Sequence, residues 1–363
     1  MLRNLQTKAA KSPVGSIVLC LLLLSIVSLT LLYSSLHQGG ELKDQAIFYK
    51  QIMWLAFAWI CFIGFSFLNY RLWFDFAIIF YILNILLLIA VEFFGKSALG
   101  AQRWLDIGGF SFQPSEVSKI TTIFILARLF SSPESKGLWR GVLVPFGLVI
   151  LNVALIAKQP DLGTALILVF LFFALGFVSS LRKRYLVILL LVALIASPFA
   201  WNHLKSYQKK RLIVFLNPNV EPLGAGYTII QSKIAIGSGR ICGKGFLSGT
   251  QNQFNFLPER HTDFIFTVLA EEWGLLGSLF LLLIYFYIFN KIIDIVNYLK
   301  DPFARLISFG IAFLFFLHVF INIGMTLGIL PVVGLPLLFL SYGGTHLIVS
   351  FILLGVFANI YRQ

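Results

Sequence analysis

Long apolar runs separated by short polar segments make up most of the sequence. A helix needs about 17–25 apolar residues to cross roughly 30 Å of hydrocarbon. The pattern predicts ten such helices, over residues 15–35, 50–68, 73–93, 116–131, 141–157, 162–180, 185–201, 264–290, 305–327 and 336–360. The predicted fold is an all-α polytopic membrane protein, a bundle of about ten transmembrane helices forming a single domain over residues 1–363.

The composition supports this class. Of the 363 residues, 59% are hydrophobic and only 12% are charged, which excludes an ordinary soluble domain. The formal net charge is +13 at pH 7, but the largest group of basic residues falls on the predicted outer side of the membrane, so we expect no nucleic-acid partner. The three cysteines show no disulfide pattern, so they do not indicate a redox compartment.

The distribution of Lys and Arg predicts the orientation, because short cytoplasmic loops are enriched in these residues. With both termini cytoplasmic, that side carries fourteen of the 28 basic residues: Arg3, Lys8, Lys11, Arg71, Arg128, Lys136, Arg140, Arg182, Lys183, Arg184, Lys291, Lys300, Arg305 and Arg362. The short loops of the opposite side carry only six. We therefore expect a multi-pass protein of the cytoplasmic (inner) membrane with both termini inside.

Residues 202–262 form a long loop between the seventh and eighth spans, predicted to be extracytoplasmic. It carries the other eight basic residues: Lys205, Lys209, Lys210, Arg211, Lys233, Arg240, Lys244 and Arg260. One interpretation is tolerated charge in contact with lipid headgroups, since long loops translocate regardless of charge. The other is a cationic basin that attracts an anionic substrate.

Glycines recur within this loop, at positions 237, 239, 243, 245 and 249. They would allow backbone N–H groups to approach an anion closely. The segment GRICGK is not a nucleotide-binding loop, because its glycine spacing is one residue short and no Ser or Thr follows Lys244. The isoleucine spacing over residues 229–236 predicts a short, partly amphipathic helix.

Three further polar segments fall on the predicted outer face: residues 100–119, 158–164 and 328–346. Residues 100–119 end with Glu116 and Lys119, one helical turn apart, which either stabilise a helix end as an ion pair or take part in function. Residues 328–346 place prolines and a turn beginning at Ser341 in an apolar stretch. Such broken backbone is tolerated at membrane depth only where it is buried in protein or lines a cavity.

Two aspartates precede predicted helices and are candidate N-caps. Asp161 follows Lys158 in the turn KQPDLGT, and there we favour a capping or packing role. Asp263 belongs to LPERHTDFIF, residues 257–266, which crowds four titratable side chains before a span: Glu259, Arg260, His261 and Asp263. Glu271 and Glu272 lie two turns deeper, where a charge is costly and has either a structural partner or a function.

Six segments resemble the signature segments of the shape, elongation, division and sporulation family of membrane proteins. They occur in the family's order: GAQRWLDIGGFSFQPSEVSK, KQPDLGTAL, QSKIAIGSGRICGKGFLSGTQ, FLPERHTDFIF, AEEWGLLG and GILPVVGLPLLFLSYGGT. The residues of LPERHTDFIF and the short N- and C-terminal tails are more similar to the elongation branch of the family than to its division branch. The matching topology covers essentially the whole chain.

This resemblance implies a ten-helix glycosyltransferase that polymerises lipid II into peptidoglycan on the outer face of the membrane and releases undecaprenyl diphosphate. It also implies a class B penicillin-binding protein as a partner that cross-links the strands and activates the polymerase, together with other proteins of the elongation machinery. The family's catalytic aspartate falls on Asp263. Its helix-linked acid–base pair falls on Glu116 and Lys119.

The residues suit this reaction on chemical grounds. A sugar hydroxyl needs a general base, whereas a diphosphate leaving group needs cations rather than a protonated acid. Asp263 is the candidate base. The candidates for contacts with diphosphate, sugar and the second lipid are Arg260, Lys244, Arg211, Lys233, His261, Gln231, Ser232, Arg103 and Lys119. The candidates for structural or coupling roles are Glu116, Lys119, Asp161, Lys158, Glu271, Glu272 and Ser341.

Two other functions and one cofactor stay open. A divalent cation, Mg²⁺ or Mn²⁺, is compatible with a diphosphate substrate, although no ligand cluster in the sequence requires one; no organic cofactor is expected. A lipid II flippase would place ionisable residues along an internal path and interrupt helices near the midplane. This alternative stays open because the predicted spans contain Glu271, Glu272 and His318. A non-catalytic scaffold of the elongation machinery would not require Asp263.

Overall fold

The computed structural model describes residues 13–37, 42–98, 101–108, 110–203, 206–224 and 226–363. Arg3, Lys8, Lys11 and Lys205, which entered the charge pattern, lie outside these ranges. The described residues form thirteen α-helices: α1 Pro13–Leu36, α2 Leu42–Phe67, α3 Arg71–Phe94, α4 Pro114–Ser131, α5 Val144–Lys158, α6 Leu162–Val178, α7 Lys183–His203, α8 Ser206–Leu216, α9 Tyr227–Ser238, α10 Thr250–Gln253, α11 Ile265–Tyr298, α12 Pro302–Thr326 and α13 Gly344–Arg362. The predicted all-α membrane class is confirmed.

Each of the ten predicted spans coincides with a helix. Within the described ranges, seven helices are long and apolar enough to cross a membrane. Another, α6, is apolar but shorter, at 17 residues. The chain is therefore a multi-pass membrane protein, while the count of ten crossings stays a prediction. The predicted helix over 229–236 lies within α9.

The predicted start of the last span, at residue 336, is wrong, because α13 begins only at Gly344. The residues before it follow an irregular path, although most side chains between Leu335 and Ser341 are buried. Side chains provide hydrogen-bond partners for this backbone. Asn322 Nδ2 donates to the Leu335 carbonyl (2.7 Å), and the Leu337 N–H donates to Ser341 Oγ (2.7 Å). The stretch is apolar because it is buried, and an apolar composition does not by itself indicate a helix.

A small antiparallel sheet, absent from the prediction, occupies residues 96–112. Its strands are β1 Lys96–Ala98, β2 Ala101–Ile107 and β3 Phe110–Phe112, in the order β1-β2-β3. Leu105 pairs with Phe112 and Asp106 with Ser111. The sheet leads directly into the N-terminus of α4, where Glu116 lies in the first turn.

The chain separates into two compact units. Unit 1 comprises Met1–Ala56, Ala200–Lys291 and Phe316–Gly343, and unit 2 comprises Phe57–Phe199, Ile292–Phe315 and Gly344–Gln363. The prediction of one integrated domain, with residues 202–262 as its large outer loop, stays a prediction. Each unit contains one of the polar clusters described below.

In unit 2, α4 packs against α3, α5 and α6. Its side chains Ile123 and Leu126 are fully buried. A ladder of polar side chains crosses this core, because Asn84 donates to Ser118 Oγ (2.8 Å) and Asn152 donates to Thr122 Oγ1 (3.4 Å). Pairing of this kind is what a polar group away from water requires.

In unit 1, α11 is interrupted at Gly274, whose φ of 65° and ψ of −159° are accessible almost exclusively to glycine. A segment of the preceding loop, residues 240–245, supplies hydrogen bonds on both sides of the interruption. The N–H groups of Lys244 and Gly245 donate to the carbonyls of Glu271 and Glu272, both at 3.0 Å. The N–H groups of Leu275 and Leu276 donate to the carbonyls of Arg240 (2.9 Å) and Ile241 (3.1 Å).

Candidate functional site

Asp263 lies in the turn that leads into α11, and its side chain is partly exposed. Three consecutive backbone carbonyls hold this turn. The His261 carbonyl accepts from the Tyr342 N–H (2.9 Å), the Thr262 carbonyl from Ser341 Oγ (2.5 Å), and the Asp263 carbonyl from Asn322 Nδ2 (2.8 Å). Two of these donors come from the irregular segment before α13, so that segment fixes the position of Asp263.

The Asp263 carboxylate lies beside Gly334. A Cβ atom added at Gly334 would lie 3.3 Å from Asp263 Oδ2, and the φ of Gly334 is +71°. Because residue 334 is a glycine, it places no side-chain atom of its own against the carboxylate. Neither Gly334 nor Asn322 was among the predicted site residues. The available signals were a glycine before Leu-Pro and a single amide inside an apolar run.

Two predicted cations border the same stretch of backbone, residues 328–334. Arg211 Nη1 donates to the Val332 carbonyl (3.2 Å). The ammonium of Lys233 lies beside Gly328, where an added Cβ would come within 2.8 Å of Nζ. Arg211 and Lys233 are exposed side chains of α8 and α9. Unit 1 thus gathers two cations and the candidate base around one irregular segment.

The other two predicted diphosphate ligands make contacts inside the protein. Arg260 Nε donates to the Ser35 carbonyl (2.7 Å) at the C-terminus of α1, a position that favours a cation. Lys244 Nζ pairs with Glu271 Oε1 (2.7 Å), and the side chains are 26% and 1% exposed. Lys244 is therefore the counter-ion of a buried carboxylate, which argues against its assignment to diphosphate.

The glycine-rich segment also differs from expectation. The N–H groups of residues 243–245 donate to carbonyls of the protein: Gly243 to Gly239 (2.8 Å), Lys244 to Glu271 and Gly245 to Glu272. For Gly243 and Gly245, the expectation that these groups approach an anion is therefore wrong. The glycines allow close backbone contact with α11 instead.

Three other candidates occupy different environments. Ser232 is buried and its hydroxyl donates to the Thr326 carbonyl (2.5 Å), so the structure places it inside the protein, against the expectation of a substrate contact. Gln231 is partly exposed beside it. The His261 ring lies 6.0 Å from the ring of Tyr342, and burial raises the pKa of the Tyr342 phenol, which stays a neutral hydroxyl at pH 7.

Unit 2 contains a buried charged cluster. Glu116 Oε1 pairs with Lys119 Nζ (2.7 Å), and Glu116 Oε2 lies 3.1 Å from His346 Nδ1. The exposed fractions are 3% for Glu116, 1% for Lys119 and 5% for His346. The predicted i,i+3 pair is therefore present, and burial of Lys119 argues against a contact with the second lipid. No sequence signal indicated His346, which lies 230 residues from Glu116.

Asp161 joins several elements of unit 2. It lies at the N-cap of α6, where it accepts from the Thr164 N–H (3.3 Å) and hydroxyl (3.0 Å). Ser115 Oγ and Gln113 Nε2 also donate to it, both at 3.2 Å. Beside this network, Arg103 donates to the carbonyls of Gln159 (3.0 Å) and Pro160. Lys158 forms an exposed pair with Glu92 (3.3 Å).

The fold and these clusters define a polytopic membrane protein with polar chemistry at its helix ends. The family FTSW_RODA_SPOVE, described as "Cell cycle protein", matches residues 15–363. The chain belongs to this family, and the resemblance inferred from the six segments is confirmed.

Two relatives and two solved structures illustrate the relationship. "Peptidoglycan glycosyltransferase MrdB" of Escherichia coli (strain K12) is 44% identical over 284 residues, 78% of this chain and 77% of the relative. "Peptidoglycan glycosyltransferase RodA" of Treponema pallidum (strain Nichols) is 32% identical over 417 aligned positions, covering 95% of this chain and 96% of the relative.

Among solved structures, a chain from "Structural coordination of polymerization and crosslinking by a peptidoglycan synthase complex" has a TM-score of 0.80 and 33% identity. It covers 95% of this chain and 96% of that one. The crystal structure of Thermus thermophilus Rod shape determining protein RodA has a TM-score of 0.71 and 26% identity, and covers 95% of each chain. Two of these four carry the name RodA, and the greater similarity to the elongation branch stays a prediction.

Proposed function

We propose that this protein is a peptidoglycan glycosyltransferase that joins lipid II units into glycan strands during cell elongation, with Asp263 as general base. The relatives named peptidoglycan glycosyltransferase are 32–44% identical and match most of the chain. The assignment of Asp263 as the base depends mainly on the hydrogen bonds that fix the turn containing it. Three backbone carbonyls fix it, while the carboxylate is partly exposed beside Gly334.

The chemistry assigns one proton transfer to Asp263. The 4-hydroxyl of one lipid-linked sugar attacks C1 of another, and the new glycosidic C–O bond replaces the bond between C1 and the diphosphate. The carboxylate takes the hydroxyl proton as the bond forms, because a neutral alcohol is a weak nucleophile. The leaving group is undecaprenyl diphosphate, whose negative charge needs cations rather than a proton.

Arg211 and Lys233 are the best-placed ligands for this diphosphate. Both are exposed, and both border the 328–334 segment that also contacts Asp263. A guanidinium presents several donors in a fixed plane to phosphate oxygens, and an ammonium adds a point charge. His261 and Gln231, which are partly exposed, are candidates for sugar contacts.

A divalent cation would act with the diphosphate rather than as a resident metal. Among the described residues, no group of three His, Cys, Asp or Glu side chains is placed to hold an ion. Mg²⁺ is commonly held by substrate phosphates and only one or two carboxylates, with waters completing the shell. The ion would supply positive charge to the leaving group, and we expect that it arrives with the substrate.

The proposal includes a partner and an orientation. A chain of similar fold comes from a peptidoglycan synthase complex that coordinates polymerization and crosslinking. We infer a class B penicillin-binding protein as the cross-linking partner. The distribution of Lys and Arg supports cytoplasmic termini and a reaction on the outer face of the inner membrane.

The test is polymerisation of fluorescent lipid II by the purified full-length chain together with its partner. Asp263→Asn should lower the rate by about 100- to 10,000-fold, the range expected when a general base is removed. Glu259→Gln is the matched control, because Glu259 is an exposed acid four residues away, and it should polymerise at nearly the unmodified rate. Full activity of Asp263→Asn would exclude Asp263 as the base.

The flippase alternative has one observation in its favour, the interruption of α11 beside Glu271 and Glu272. Transporters use such interruptions to bind substrate with free backbone groups. Here the loop 240–245 uses those groups, so the interruption is filled by the protein itself. Translocation of lipid II across proteoliposomes by the Asp263→Asn variant would support transport as a second activity.

A further inference from the structure

Glu271 lies at the point where the 238–251 loop meets the interruption of α11. Its side chain is 1% exposed, yet one oxygen, Oε1, collects four donors. These donors are Lys244 Nζ (2.7 Å), Thr250 Oγ1 (3.1 Å), the Gln251 N–H (3.1 Å) and Ser238 Oγ (3.4 Å). A single buried carboxylate therefore ties both ends of the segment 244–251.

The backbone reinforces the same attachment. The Glu271 carbonyl accepts from the Lys244 N–H at 3.0 Å, so Lys244 contacts Glu271 through both its main chain and its ammonium. The ammonium also donates to Thr250 Oγ1 (2.7 Å). A buried carboxylate such as Glu271 requires a counter-ion and further hydrogen bonds, and here the loop provides both.

The attached segment continues directly to the candidate base. Beyond Gln251, Asn252 Nδ2 donates to the Ser34 carbonyl (3.3 Å), and Arg260 Nε donates to the Ser35 carbonyl (2.7 Å). Glu272 takes part as well, because its carboxylate accepts from Ser34 Oγ. Residues 250–260 are thus held at one end by Glu271 and at the other by α1, three residues before Asp263.

We propose that Glu271 is a positioning residue for polymerisation and that Lys244 is its counter-ion rather than a ligand of the diphosphate. This inference rests on the proposed role of Asp263 as base. Glu271 fixes the loop that leads to Asp263, and so sets the geometry of proton transfer without touching substrate. Its loss should lower kcat for lipid II while changing KM little, because displacement of the base affects the transition state more than substrate binding.

The experiment compares four variants of the full-length chain with its partner: Lys244→Met, Glu271→Gln, the double variant Lys244→Met/Glu271→Gln, and the double variant Lys244→Met/Glu271→Ala. Lys244→Met leaves the buried Glu271 carboxylate without its counter-ion, and Glu271→Gln leaves the partly exposed Lys244 ammonium without its own, so each single change should lower kcat by at least about tenfold. The Met/Gln double variant removes both charges and keeps an oxygen that accepts from Thr250 and Gln251. It should recover to within about threefold of the unmodified protein.

The Met/Ala double variant also removes both charges, but it lacks the accepting oxygen and should stay as slow as the single variants. The matched control is the pair Lys210–Glu221, which has the same 2.7 Å separation but 51% and 35% exposed side chains. Lys210→Met/Glu221→Gln should change kcat by less than about twofold, because exposed pairs contribute little.

Two results would overturn the inference. A Met/Gln double variant as slow as Lys244→Met would mean that Lys244 acts on the substrate. A fully active Met/Ala double variant would mean that Glu271 positions nothing.

Hydrogen exchange separates this inference from the proposed function. Amide exchange of residues 244–251 should become faster in the single variants and return to normal in the Met/Gln double variant. Unchanged exchange in all variants would overturn the attachment itself. Full activity of Asp263→Asn, together with the expected exchange, would reject the base and leave the attachment standing.

Discussion

Gly334 lies directly against the carboxylate of Asp263, so that an added Cβ would sit 3.3 Å from Oδ2. The two residues are 71 positions apart in sequence, yet Asn322 ties their segments together by donating to the carbonyls of Asp263 and Leu335. The space beside the base is therefore a property of the irregular segment before α13. A reacting hydroxyl must use such a space to reach a carboxylate oxygen.

The first prediction concerns that space. Gly334→Asn should lower polymerisation by at least about tenfold, because the amide side chain would occupy the position of the approaching hydroxyl. Asparagine is chosen because it tolerates positive φ better than other side chains. The measurement is the rate of lipid II polymerisation, alongside the thermal unfolding midpoint in detergent.

Gly108→Asn is the matched control, because Gly108 has a similar φ of +60° and nothing within 4 Å of an added Cβ. It should lose as much stability as Gly334→Asn and retain activity. Equal activity of the two variants would show that the space beside Asp263 is not used.

The second prediction concerns Arg211 and Lys233. Arg211→Met and Lys233→Met should each lower kcat for lipid II by about tenfold with a smaller change in KM, since they remove positive charge that stabilises the departing diphosphate in the transition state. Lys210→Met, a neighbouring basic residue paired with Glu221, is the control. A rise in KM at constant kcat would instead assign these cations to ground-state binding of the lipid diphosphate.

The third prediction concerns metal dependence. EDTA should slow polymerisation by at least about tenfold, and Mg²⁺ or Mn²⁺ should restore it, if the ion enters with the diphosphate. The unfolding midpoint should not change, because the described residues provide no cluster of three ligands for a structural ion. A lower midpoint in EDTA would instead indicate a metal that supports the fold.

The fourth prediction concerns His346, whose Nδ1 lies 3.1 Å from Glu116 Oε2 in a buried environment. His346→Ala should reduce the free energy of unfolding by about 1–3 kcal/mol, the cost of leaving a buried polar group unsatisfied. His346→Asn, which can still donate to the carboxylate, should lose less. Identical midpoints for both variants would show that the contact does not stabilise the protein.

Much of the helical architecture was predictable because membrane spans have a required length and an apolar composition. The Glu116–Lys119 pair was also predictable, since residues three apart share one face of a helix. The contacts of Asp263, Lys244 and His346 were not, because they join positions far apart in sequence. Helical periodicity carries no information about which distant carbonyl or carboxylate a side chain will meet.

Composition also gave a wrong start for the last span, because the buried backbone before α13 is irregular. Leu335, Leu337, Leu338 and Leu340 are almost fully buried, so the stretch is as apolar as a span without being helical. The interruption at Gly274 was missed for the opposite reason. A glycine inside an apolar run is common in membrane helices, and only its dihedral angles reveal the break.

The interruption at Gly274 has a consequence for biosynthesis. Several main-chain groups of α11 find their partners in residues 240–245 rather than within the helix, and in hydrocarbon each unmatched group costs several kcal/mol. The N-terminal part of α11 is therefore a poor candidate for independent entry into the bilayer. The ribosome synthesises residues 240–245 before α11, so these hydrogen-bond partners are already present when the helix forms.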